Sequence, residues 1–263
     1  MTRRLATSGK ILLFVLGLQS PLVFAQVSNL QLGDSYYDLR AENSKDNMAN
    51  GKNVREAIKY YNLALKNSAE KEEAAWKLLR AYYFFGCFAL PDAKDRLNLF
   101  EKARKEGKSF LREFPKNANI AYWYSVDLAL WASMVNPMVA LNAGSVKESR
   151  DIAQMLIAAE KNGDNISAAR GYQILGRAHQ KIPHIIFVLS WVQKDSSEVY
   201  FKKSISLNPR DLATHLFLAE FYKEAGRERE TENILLPLLK KHPRKNEYLE
   251  DERNLIKMRK LLE

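Results

Sequence analysis

Cysteine is almost missing from this 263-residue chain, Cys87 being the only one. A single thiol excludes an intramolecular disulfide and any multi-thiolate metal site. It stands in the run AYYFFGCFAL and is expected to be a buried structural thiol. Histidine is scarce too. His179, His184, His215 and His242 never make the His-Glu-x-x-His spacing of a zinc-protease helix, and Pro183 interrupts the first two. Glycine (11) and proline (8) are few, so few turns are expected. Gly51-Lys52 lacks the earlier Gly and the following Ser or Thr of a phosphate-binding loop. No Gly-x-Ser-x-Gly turn occurs that would present a serine nucleophile. Catalysis, a metal and a cofactor are therefore not expected. Alternating Val, Ile and Thr runs, the mark of half-buried strands, are also nearly absent.

What is present is helical material. The chain is 46% hydrophobic and 27% charged, enough to bury a real core. Long stretches are rich in Ala, Leu, Lys, Glu and Arg, all strong helix formers. The expected class is all-α. The formal net charge is +10, but the basic residues are mixed with acids. The densest stretch, Lys102, Arg104, Lys105, Lys108, Arg112 and Lys116, is interleaved with Glu101, Glu106 and Glu113. Such mixing describes a solvated helix face, and no nucleic-acid partner is expected.

Residues 1–25 have the layout of a secretory signal peptide. Arg3, Arg4 and Lys10 precede an apolar core over residues 11–18, Pro21 breaks it, and Val23 and Ala25 stand at the −3 and −1 positions of a small-residue cleavage site. The apolar run is short for a bilayer span. No Cys follows it, so a bacterial lipoprotein anchor is not expected. The chain is expected to be exported, and periplasmic in a Gram-negative bacterium.

Internal repeats carry the most information. Residues 212–243 resemble a tetratricopeptide repeat, with His215, Leu218, Ala219, Tyr222, Thr231, Leu235 and Pro243 at its characteristic positions and Gly226 where two helices turn. Tyr172, Leu175, Gly176 and His179 match a preceding first helix, and Phe201 and Pro209 its partner. Trp123, Val126 and Leu130 go with Ala153 and Ile157. Trp76, Leu79 and Tyr83 go with Ala103, Phe110 and Pro115. Leu32, Gly33 and Tyr36 go with Ala57, Tyr61 and Ala64. The expectation is five helix pairs, four of them with enlarged links between their helices, in a tetratricopeptide-like stack (an α-solenoid) with a central cleft or pore. Residues 26–245 form the repeat domain and residues 246–263 a capping helix. Each pair has an apolar stripe it cannot bury alone, so stacking builds a continuous core and a curved surface.

The blocks AYWYSVDLALWA (121–132), ARGYQILGRAHQKIP (169–183) and YFKKSISLNP (200–209) resemble the T-component family of TRAP transporters. The resemblance spans residues 30–243 and includes the interrupted repeats. It implies a periplasmic helical accessory protein that partners a solute-binding protein and holds a hydrophobic or organic-acid ligand. Members are often lipoproteins, and this chain departs from them in lacking the lipid-bearing Cys. A weaker similarity runs to eukaryotic regulators of microtubule dynamics. The alternative is a general envelope scaffold that binds only peptides or protein partners, a second copy of the chain among them.

In tetratricopeptide proteins fixed positions of each first helix line the inner surface. By that register the candidate binding residues are Lys77 and Phe84 (with Phe85), Tyr124 and Trp131, and Arg170, Gln173 and Arg177 (with Gln180). Arg170 and Arg177 are seven residues apart and share a helix face. Aromatic walls with two guanidinium groups suit a carboxylate on an apolar body. Equally, the two arginines bond to Asp127 or to backbone carbonyls, and the aromatics belong to the core. The apolar segment 183–191 stands open as lid, partner contact or packing.

Overall fold

The computed structural model describes residues 27–182 and 189–263. The signal segment 1–25 and most of the apolar insertion, residues 183–188, lie outside the described residues. Among the described residues there are twelve α-helices and no strand beyond an isolated bridge between Lys45 and Met48. No described helix is long and apolar enough to cross a membrane.

The helices are α1 (Asn29–Asp38), α2 (Lys52–Ala64), α3 (Lys71–Phe88), α4 (Ala93–Glu113), α5 (Ala118–Met134), α6 (Pro137–Asn142), α7 (Ser145–Ala158), α8 (Asn165–Lys181), α9 (Ser196–Leu207), α10 (Leu212–Glu224), α11 (Glu228–Leu238) and α12 (Tyr248–Leu262). They form the five expected pairs: α1 with α2, α3 with α4, α5 with α7, α8 with α9, and α10 with α11. Starts are written into the sequence. Ser28 opens α1 with a capping box to Gln31, and Asn117, Asp164 and Asp211 each accept from backbone N–H groups at the starts of α5, α8 and α10. These side chains satisfy donors a helix start leaves unpaired.

One expectation about the links needs correction. The link within the second pair is short, only residues 89–92, because α3 runs 18 residues and α4 runs 21. The extra chain extends the helices: Asp92 caps α4 just after Pro91, and the Lys, Arg, Leu and Glu that follow propagate it. The other enlarged links are real. Residues 39–51 fold through left-handed Asn43, Asp46 and Asn47, the third link contains α6, and the fourth spans residues 182–195.

Stacking is regular. Each second helix packs on the next first helix, as α2 does on α3, α4 on α5, α7 on α8 and α9 on α10. Successive first helices α3, α5, α8 and α10 also touch. A main core runs through the first three pairs, around Tyr37, Tyr61, Leu78, Phe84, Phe100, Ile120 and Leu128. A second core joins α10 and α11 to Leu255 and Met258 of α12. Helix α12 does more than cap the last pair, because Leu249 in its first turn belongs to the core of the first three pairs.

Candidate binding surface

The surface is built on α8, whose first turn is fixed by Asp164 accepting from Ser167 N–H at 3.0 Å. Gly171 and Gly176 let it lie close to its neighbours. A Cβ at Gly171 would meet the Ala153 carbonyl oxygen at 2.6 Å, and one at Gly176 the Phe201 ring at 2.6 Å. That closeness holds the polar side of α8 between α5 and α10.

Arg170 turns toward α5. Its Nη1 donates to Asn119 Oδ1 at 2.9 Å and its guanidinium lies 4.4 Å from the centre of the Tyr122 ring. Arg177, two turns on, faces α10. It donates to Glu220 Oε2 at 2.5 Å and to Gln180 Oε1 at 2.9 Å, and sits 4.1 Å over the Phe217 ring. The shared helix face therefore does not bring the two guanidiniums to a single point. Between them Gln173 is buried and donates to Asp211 Oδ2 at 2.6 Å and Thr214 Oγ1 at 2.8 Å. Ser204 extends that network, its hydroxyl donating to the Ala169 carbonyl at 2.8 Å. Gln173 thus joins α8 to α10.

The arginines do not bond to Asp127, an arrangement the sequence left open. Asp127 is fully buried and neither of its oxygens has a hydrogen-bond partner. Burial holds its carboxyl well above the usual carboxylate range, because a charge without a partner in a low-dielectric interior is strongly disfavoured.

Lys77 of α3 pairs with Asp34 at 2.7 Å and Glu73 at 3.1 Å, its side chain only 12% exposed. The three aromatic candidates are interior. Phe84 has no exposure and stacks on Phe88 at 5.0 Å. Tyr124 is 2% exposed and its hydroxyl donates a hydrogen bond to Glu148. Trp131 is 4% exposed, with Arg104 over its ring at 4.2 Å. Repeat register placed these three on the inner surface. The long α3, α4 and α5 fold them between helices, where large apolar area is buried more favourably than on a wet surface. Cys87 is largely enclosed as expected, and burial pushes its thiol up to about 12.

Register reasoning missed the partners. Arg177 with Glu220 and Lys181 with Glu224 are both 43 residues apart. The signal was a pair of basic residues four apart on one first helix, matched by two acids four apart on the next. It also missed a polar seam at the end of the stack. Arg40 of the first link bonds Glu250 at 2.9 Å. Arg253 donates to the Cys87 carbonyl at 2.6 Å and the Asn47 carbonyl at 3.3 Å, and lies 3.7 Å over Phe88.

Two cavities open elsewhere. One of about 440 Å³ lies between Gln154, Ile157, Glu160, Lys161 and Tyr172, and one of about 370 Å³ lies beside Arg150, Leu189 and Trp191. Neither is lined by Arg170 or Arg177. Among the described residues no group of three or more His, Cys, Asp or Glu is placed to hold a metal ion.

The paired helices, their stacking order and the glycine contacts define a helical-repeat protein with the tetratricopeptide-type fold. The structure is similar to the crystal structure of a thermophilic tetratricopeptide-repeat protein of Thermus thermophilus, with a TM-score of 0.58 and 17% identity, over 89% of this chain and 97% of that one. That likeness is one of fold. No protein-family model matches the chain, and no curated protein matches it in sequence.

Proposed function

We propose that the chain is an exported scaffold that binds a protein partner through the side lined by its first helices, and that the partner is a periplasmic solute-binding protein of a TRAP-type system. Arg170 carries the reading. Its hydrogen-bond partner is the neutral Asn119, and its guanidinium is backed by Tyr122, whereas Lys77 and Arg177 are already paired with carboxylates. A cation over an aromatic ring and bonded to a neutral amide is suited to accept a carboxylate from outside. The signal-like residues 1–25 and the blocks 121–132, 169–183 and 200–209 support export and the TRAP association.

The rival reading is a general envelope scaffold that binds only peptides or protein partners, with no transport system. Expression of the full chain in a Gram-negative host, followed by mass measurement of the periplasmic product, is expected to place the N-terminus at Gln26. Crosslinking in cells that carry a TRAP system is expected to capture its solute-binding protein and to lose it in Arg170→Ala. Titration of the solute-binding protein is expected to weaken by about 1–3 kcal/mol in Arg170→Ala, for the charged bond lost. Capture of unrelated peptides or proteins, undiminished in Arg170→Ala, would replace this reading with the rival one.

A further inference from the structure

Arg150 of α7 is a cation without a carboxylate. No described residue accepts a hydrogen bond from its guanidinium, which instead lies 4.9 Å from the centre of the Trp191 ring. The acids beside it on α7 are already engaged. Asp151 pairs with Lys147, and Glu148 takes both Lys108 and the Tyr124 hydroxyl.

The indole under Arg150 is held in place. Trp191 meets the His179 ring edge-on, with 5.2 Å between centres and 88° between planes, and His179 Nδ1 in turn accepts from Gln193 N–H at 2.8 Å. Leu189 and Val192 on either side are buried, and Val192 N–H donates to the Leu189 carbonyl at 3.0 Å. The segment that carries Trp191 is therefore pinned at three residues, and the ring is a fixed wall.

Arg150 and Trp191 line the cavity of about 370 Å³ together with Leu141, Val146 and Leu189. That volume is within the range of small-molecule sites, which combine apolar walls with a few polar anchors. Gly144, which precedes α7, borders the same cavity, and no side chain caps that helix. An uncapped helix start adds to the preference for negative charge there. A lone guanidinium accommodates one carboxylate through two parallel hydrogen bonds. Because Lys147 is balanced by Asp151, one negative charge completes the site, and a second would face Asp151 without compensation. The indole and the three aliphatic side chains suit a flat apolar body.

We propose that this cavity is a binding site for a small aromatic monocarboxylate, with its carboxylate on Arg150 and its ring against Trp191 and the apolar walls. The site uses none of the residues of the partner-binding reading and does not rest on it.

The test is titration of the full chain with phenylacetate, followed by calorimetry and by tryptophan emission. Saturable one-to-one binding is expected. Arg150→Gln is expected to weaken it tenfold or more, the size of one lost charged hydrogen bond. Val146→Trp keeps the charge but fills the cavity, and is expected to weaken binding by at least the same factor. The neutral analogue 2-phenylethanol is expected to bind the unaltered chain at least tenfold more weakly than phenylacetate, a comparison that needs no variant to fold. The emission change is expected to vanish in Trp191→Phe, with affinity retained within threefold. Absence of saturable binding, equal affinity in Arg150→Gln or Val146→Trp, equal binding of the neutral analogue, or an emission change undiminished in Trp191→Phe would each overturn the proposal. The titration contains no solute-binding protein and no variant in it alters Arg170, so its failure and failure of the crosslinking experiment are separable.

Discussion

Gly176 lies flat against the ring of Phe201, so close that a Cβ there would stand 2.6 Å from Cδ1 and Cε1. Phe201 has no exposure and no space to retreat into. Gly176→Ala gains about 1 kcal/mol of helix propensity but forces the fourth pair apart, at a cost of about 1–3 kcal/mol. The net expectation is a lower thermal midpoint. Gly33 against Tyr61 repeats the arrangement at 2.6 Å, and Gly33→Ala is expected to act in the same direction. A midpoint raised by either substitution would show that the stack has slack at that contact.

Asp127 makes stability depend on pH in an unusual sense. Burial raises its carboxyl well above the usual carboxylate range in the folded chain, whereas in the unfolded chain it ionises near its ordinary value of 3.8. The folded state binds the extra proton, so this group's contribution to stability is full below pH 3.8 and is lost as pH rises toward the higher folded value. Asp127→Asn keeps the shape and removes the charge. Urea unfolding at about pH 8 is expected to show the variant more stable by about 1–3 kcal/mol, with a smaller gain at about pH 5.

His179 acts in the opposite direction. Its Nδ1 accepts from Gln193 N–H at 2.8 Å, and its ring stacks on Tyr200 at 5.1 Å and meets Trp191 at 5.2 Å. Burial, with Arg150 nearby, holds the imidazole below its ordinary value of 6.5. The unfolded chain protonates first, so stability is full above pH 6.5 and falls as pH drops through the folded value. Acidification is expected to release the segment around residues 189–195, read as a change in tryptophan emission that Trp191→Phe removes and as faster proteolysis there. His179→Gln is expected to shift or abolish the transition.

Arg177 and Glu220 form one rung between α8 and α10, 34% and 23% exposed. A double-mutant cycle with Ala at each position is expected to return a coupling of about 0.5–1 kcal/mol, the range for a partly exposed pair. A coupling near zero would mean that Arg177 is free for a ligand, and would move it beside Arg170 as a binding residue.

Much of the architecture was legible because paired amphipathic helices leave periodic marks. Tyr222, Ala219 and Pro243 mark the last pair, and Gly176 with Phe201 marks the fourth through size alone. The second pair was misjudged because extra residues read as a link when they lengthen α3 and α4. Register carried Lys77, Arg170, Gln173 and Arg177 onto polar interhelical surfaces. It failed for Phe84, Tyr124 and Trp131, because an aromatic on a first helix can turn inward or outward with little change of backbone.

Local pattern alone was enough to determine that this chain is helical and that its helices come in pairs. Caps and apolar spacing are short-range signals that neighbouring residues satisfy by themselves. Only the tertiary structure decided that α12 returns to Arg40 and Phe88, that Asp127 is left without a partner, and that Arg170 is bonded to a neutral amide. Those outcomes depend on how separate helix pairs pack on one another, which brings together even residues more than 200 positions apart and is encoded in no single stretch of sequence.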